Sequence, residues 1–146
     1  MIDIENFVFD TFYNQLIQSH PEANITDGYD EENALFPSVV VREIGNVSYR
    51  ASATDACAEN HARLTYEVEV TSNRENTARS ECRELLDDAD TVMQGMKFYR
   101  TYKSRPFNLS RTIYRQYARY EVIVGKPVVY DAGTENERTV YQMYRR

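Results

Sequence analysis

Cysteine and histidine are scarce in this chain of 146 residues, at two apiece. Cys57 and Cys82 are too few to staple a domain of this length, which excludes a disulfide framework as its source of stability. His20 and His61 form no pair at zinc spacing. Cys57 and His61 would share one face of a helix and touch a metal there, but no second pair completes a four-coordinate site. Glycine-rich phosphate loops and nucleophile elbows are missing too. Acidic pairs such as Asp87 with Asp88, or Glu67 with Glu69, have the neighbours and spacing of solvated faces. The expectation is a protein that is not an enzyme, with no cofactor and no metal. No apolar run approaches the roughly 20 residues that span a bilayer. The opening Met1-Ile2-Asp3-Ile4-Glu5 is acidic where a signal peptide is basic, so no membrane partner is expected and the chain should stay in the compartment where it is made.

What is present is an apolar content of 42%, enough for one compact core. The net charge of −6 is distributed unevenly. Residues 97–146 hold eleven Lys and Arg against four Asp and Glu, a net of +7; residues 1–96 hold six against nineteen, a net of −13. Such a split suits packing within one monomer, and it equally suits head-to-tail contact between copies.

The most informative stretch is 72–96. Ala78, Cys82, Leu85, Leu86, Ala89, Val92, Met93 and Met96 recur at the steps that place apolar side chains on one helical face. Ser72 followed by Glu75 predicts a capping box, and Gly95 predicts a left-handed stop. Arg79, Glu81, Arg83, Glu84, Asp87, Asp88 and Asp90 form the polar face. Cys82 lies on the apolar stripe, as a small buried thiol.

Around this helix the chain alternates between periods. Ile4, Val8, Phe12 and Leu16 step by four, predicting a first helix with Asp3 as N-cap and an end before Pro21. His20 then sits at its C-terminus without a nearby catalytic partner. Residues 22–35 are polar and read as a loop. The run 36–42 reads as a strand, with Gly45-Asn46 as a turn and Val47 to Arg50 continuing the pairing. Residues 51–60 lack a period and read as a loop. Leu64, Tyr66, Val68 and Val70 alternate with Thr65, Glu67 and Glu69, marking a half-buried antiparallel strand. A short aromatic strand over 98–102 and a longer one over 112–124 follow, the latter with Ala118, Tyr120, Val122 and Val124 in one phase and Arg115, Tyr117 and Arg119 in the other. Val128-Val129-Tyr130 and Thr139-Val140-Tyr141 flank a polar turn, a terminal hairpin that serves as a sheet edge or as an arm docking on another subunit. The fold class expected is α+β: a mainly antiparallel sheet with two helices on one face over residues 1–124, and a hairpin extension over 125–146.

This order of elements, with Phe7 and Phe12 in the first helix, Phe36-Pro37-Ser38-Val39-Val40-Val41, the Leu64 to Val70 alternation, Gly95-Met96-Lys97-Phe98 and the run 112–120, resembles the tail-completion or tail-terminator proteins of long-tailed bacteriophages. The resemblance implies a homohexameric ring in the virion, assembled in the host cytoplasm. Its implied partners are the tail tube, which the ring stops growing, and a head-completion or connector protein. DNA would pass through without sequence-specific binding. On charge alone, Arg115 and Arg119 are candidates for contact with Glu84 or Asp87 of a neighbouring copy; the equal alternative is a pair of ladder arginines on a solvent-facing sheet. A competing function is a nucleic-acid-binding module built on the basic, tyrosine-rich segment 97–120, where bases would stack on rings in a basic groove.

Overall fold

A computed structural model of the chain describes residues 1–28, 35–49 and 61–144. Residues 51–60 and Cys57 lie outside the described residues, so neither the loop expected there nor the Cys57–His61 pairing is assessed. Helix α1 spans Glu5–Ser19 and buries Val8, Phe12 and Leu16. Its N-cap position is held by Ile4, not Asp3; Asp3 acts from one residue further out, its Oδ1 accepting from the Glu5 amide at 3.0 Å. Ile4 is instead sunk in the core.

Strand β1 (Asn24–Thr26) occupies part of the region expected to be loop, pairing parallel to the start of β2 (Ser38–Ser48). Only Ile25 of its three residues is buried, too little for any periodicity to register. β2 runs unbroken through Gly45-Asn46, where a turn was expected. The register against β3 (His61–Ser72) shifts between Glu43 and Gly45, so the glycine is absorbed in a bulge while Val47 stays paired with Arg63.

Helix α2 covers Ala78–Gly95 and buries Ala78, Cys82, Leu85, Leu86, Ala89, Val92 and Met93, the stripe read from the sequence. Both predicted ends move. Ser72 is still strand, and its hydroxyl donates to Glu81 Oε1 at 2.8 Å instead of capping with Glu75. At the other end Lys97, with φ 74°, is the left-handed residue in place of Gly95. The Lys97 amide donates to Gln94 O at 3.0 Å and the Phe98 amide to Met93 O at 3.1 Å. These two bonds make a Schellman motif, with Phe98 turned back onto the core.

Strands β4 (Tyr99–Lys103), β5 (Phe107–Asn108) and β6 (Tyr114–Gly125) follow, then the ribbon β7 (Val128–Tyr130) and β8 (Arg138–Val140), and finally β9 (Met143–Tyr144). The main sheet has the order β1-β2-β3-β6-β4, antiparallel except for β1 with β2. One edge of β6 is held along its whole length by β3; the other is tiled end to end by β9, β4 and β5. The fold is α+β, with α2 across β3 and β6 and α1 against α2 and β2.

The core lies between the helices and one sheet face. Leu64, Tyr66, Val68 and Val70 of β3 and Ala118, Tyr120, Val122 and Val124 of β6 meet Leu85, Leu86, Ala89 and Met93 of α2. A side chain such as Leu85 or Phe12 contributes about 1.5–3 kcal/mol by leaving water. Cys82 is buried among them, donates to Tyr114 O at 3.3 Å, and has its thiol pushed up to about 11 by burial. It is a packing residue, too basic to present a thiolate at neutral pH.

Candidate assembly surface

The alternation that buries one phase of β3 and β6 turns the other phase onto a sheet face that neither helix covers. There the register sets Arg42, Glu67 and Arg119 in one cross-strand row. Glu67 accepts from Arg42 Nη2 at 2.8 Å and from Arg119 Nε at 3.1 Å, one carboxylate clasped by two guanidinium groups. Glu69 is bridged by Arg115 Nε at 2.9 Å. Beyond them Tyr117 meets Tyr102 at 5.6 Å and Phe107 edge-on at 6.4 Å between ring centroids, and the Arg119 guanidinium lies 5.6 Å from the Tyr117 ring. Glu67 is only 7% exposed although it faces outward, because the two arginine stems and their guanidinium groups lie over it.

The contacts predicted from charge are placed differently. Arg115 and Arg119 are on the uncovered sheet face, whereas Glu84 and Asp87 belong to α2 on the opposite side of the sheet. Asp87 receives Lys103 Nζ at 3.0 Å, and Asp90 receives Arg100 Nη1 at 2.9 Å and the Tyr120 hydroxyl at 2.7 Å. Four ion pairs, Glu67–Arg119, Glu69–Arg115, Asp87–Lys103 and Asp90–Arg100, thus each join an acid from the negative first part of the chain to a base from the positive last part. Part of the charge asymmetry along the sequence is folded together within one copy. That arrangement corrects the electrostatic ground for a ring: the two arginines named for a neighbour are already satisfied at home, which is the ladder reading.

The protomer also leaves apolar surface uncovered. Among the described residues the β7–β8 ribbon pairs only with itself, and Val128, Val129, Tyr130 and Val140 are all exposed. Its root is fixed: the Gly125 amide donates to Gln142 O at 2.8 Å, β9 pairs with Ile123 and Val124, and the Tyr141 ring packs on Phe7 at 5.2 Å. Its tip is ordered by Gly133 at φ 79° and by the Thr134 hydroxyl donating to Asp131 O at 2.6 Å. The hairpin is an arm built between two anchored points, separate from the main sheet.

Two features escaped sequence reasoning. His20 does have a partner, Asp88, 68 residues away in the chain, with His20 Nε2 and Asp88 Oδ2 2.5 Å apart; no local pattern encodes that meeting. The second is a cleft between α1 and β2 lined by Glu5, Asp27, Glu43 and Tyr66. Here a signal existed, since Val39, Val41 and Glu43 share one strand phase and an acid in a core phase is out of place. Among the described residues no group of three His, Cys, Asp or Glu side chains is placed to hold a metal ion, and no helix is long and apolar enough to cross a membrane. No protein-family model matches the chain, and a comparison with curated proteins finds no match.

Proposed function

We propose that the protein is a structural component of a phage virion that works by assembly, without turnover of a substrate. In this reading it forms a ring at the head-proximal end of the tail tube, ends tube growth, and offers the surface to which the head connector joins. The observation that carries the reading is the β7–β8 arm. A two-stranded ribbon is marginal alone in water, and this one holds exposed valines and a tyrosine on a firmly anchored root. Docking on the next copy would bury them. Such a contact joins unlike surfaces and closes into a ring when the rotation permits.

Native mass spectrometry and electron microscopy of the purified protein, alone and with tail tubes, test this. Closed rings of several copies, or a single ring capping each tube, are expected. A protein that stays monomeric at high concentration and binds neither tube nor connector overturns it. Val129→Asp together with Tyr130→Asp should leave the protomer folded, with thermal stability changed by less than about 0.5 kcal/mol, while rings are lost.

The nucleic-acid alternative draws on the ring cluster of Tyr102, Phe107 and Tyr117. It has less support, because Arg115 and Arg119 beside those rings are held by Glu69 and Glu67. Retention on single-stranded DNA that weakens steeply with salt would favour it.

A further inference from the structure

The cleft between the start of α1 and β2 has a composition that the folded chain does not explain. It encloses about 310 Å³ and is lined by the carboxylates of Glu5, Asp27 and Glu43 and by the apolar side chains of Val8, Phe9 and Val41. Its floor includes Tyr66, which is 2% exposed and whose hydroxyl has no hydrogen-bond partner among the described residues. Glu43 Oε1 is likewise buried and, among the described residues, unpartnered, although the Glu43 carboxyl also shares a hydrogen bond with Glu5. Arg42 also borders the cleft, but its Nη2 is engaged by Glu67 at 2.8 Å. Among the described residues none of Glu5, Asp27 and Glu43 forms an ion pair. The walls are held in place from both sides: the Asn46 side-chain amide donates to Ile2 O at 2.9 Å, fastening the segment before α1 to β2, and Glu43 and Tyr66 are register partners on β2 and β3.

Buried polar groups are nearly always satisfied, and each exception calls for a partner. The partner that fits this lining has positive charge, several N–H donors and an apolar stem. A divalent cation does not meet the requirement, since it needs oxygens converging at about 2.0–2.6 Å and these acids are spread around a cleft. We propose that the cleft binds an ammonium or guanidinium group on a short aliphatic stem, the charged head lying between Glu5, Asp27 and Glu43 with the Tyr66 hydroxyl on one N–H, and the methylenes against Val8, Phe9 and Val41. The same chemistry comes from a free alkyl cation or from a Lys or Arg side chain of another protein.

Binding should depend on pH. Burial, then hydrogen bonding with Glu5 and the charges of Glu5 and Asp3, push the Glu43 carboxyl up to about 7. The groups facing it are Asp3 just before α1, Glu5 at the start of α1, Asp27 after β1, Arg42 on its own strand, and the Tyr66 hydroxyl from β3. Below that range Glu43 holds a proton and the cleft loses one negative charge.

Calorimetric and NMR titrations of the intact protein with agmatine, n-butylammonium, acetyl-arginine amide and acetyl-lysine amide test the proposal, with n-butanol and Mg2+ as controls. The cations should bind at pH 8 and about tenfold more weakly at pH 6, shifting resonances of Tyr66 and Val41. Glu43→Gln should weaken binding about tenfold and remove the pH dependence, and the isosteric Tyr66→Phe should weaken it several-fold. Binding of free agmatine without the capped amino acids assigns a small-molecule ligand; binding of the capped amino acids assigns a protein side chain. No saturable binding of any cation, or butanol or Mg2+ binding as well as the cations, overturns the proposal and leaves the cleft a solvent-filled crevice.

Discussion

His20 Nε2 and Asp88 Oδ2 lie 2.5 Å apart, tying the residue that caps the C-terminus of α1 to the middle of α2. His20 is buried and Asp88 about half exposed, so the bond is a clamp between helices with one foot in water. Asp88→Ala leaves the imidazole without that partner. The expected loss is about 1–1.5 kcal/mol, seen as a fall of about 3–5 °C in melting temperature.

The Arg42–Glu67–Arg119 row makes a second prediction. Glu67→Gln keeps the shape of the side chain but leaves two guanidinium groups side by side, and should cost about 1–2 kcal/mol in urea denaturation. That is below the 3–5 kcal/mol typical of breaking a fully buried pair, because both arginines are close to half exposed. A double-mutant cycle of Glu67→Ala with Arg119→Ala should give a coupling of about 0.5–1.5 kcal/mol that shrinks in high salt.

Glu43 makes stability depend on pH in an unusual sense for a carboxylate. Its folded value, about 7, stands above the ordinary 4.5, so between those values the folded state holds more protons than the unfolded one. The contribution is fully present below about pH 4.5 and is lost as pH rises through about 7. Glu43→Gln should flatten this dependence and raise stability at pH 8 by about 1 kcal/mol, a figure discounted for the solvent that reaches the group. Urea midpoints of both proteins from pH 4 to 8 check it.

Lys97 adopts φ 74° where glycine is the usual occupant. Lys97→Gly should stabilise the protein by about 0.5–1 kcal/mol, since relief of left-handed strain exceeds the entropy gained by the unfolded chain. Lys97→Val should destabilise it, because a β-branched residue tolerates that conformation least. Thermal unfolding of the two variants should move in opposite directions.

The α2 stripe, the alternation of β3 and the two phases of β6 were legible in the sequence because each repeats over many residues and one solvent boundary governs them all. The ends of α2 were not. Ser72 had a better use as a buried donor to Glu81, and the pull of Phe98 into the core set the turn at Lys97 two residues past Gly95. β1 was invisible for another reason: its backbone pairing is supplied by β2, and a three-residue strand with one buried side chain leaves no periodic trace. The charge asymmetry is plain in the sequence as numbers, but its destination depends on cross-strand register. A run of residues cannot state that Glu67 will face Arg119 and not the acid or base of another molecule.

The far edge of β6 is occupied by three short pieces, β9, β4 and β5, so that margin offers no long uninterrupted row of free amides and carbonyls on which a second sheet could zip. At the opposite margin the three-residue β1 covers only Ser38, Val39 and Val40 of β2. Among the described residues the rest of β2 pairs on one side alone, with β3, and the bulge between Glu43 and Gly45 interrupts that row. Endless backbone growth is thus blunted at both margins, and side-chain fit, which can stop at a fixed count, gains weight in any multimer.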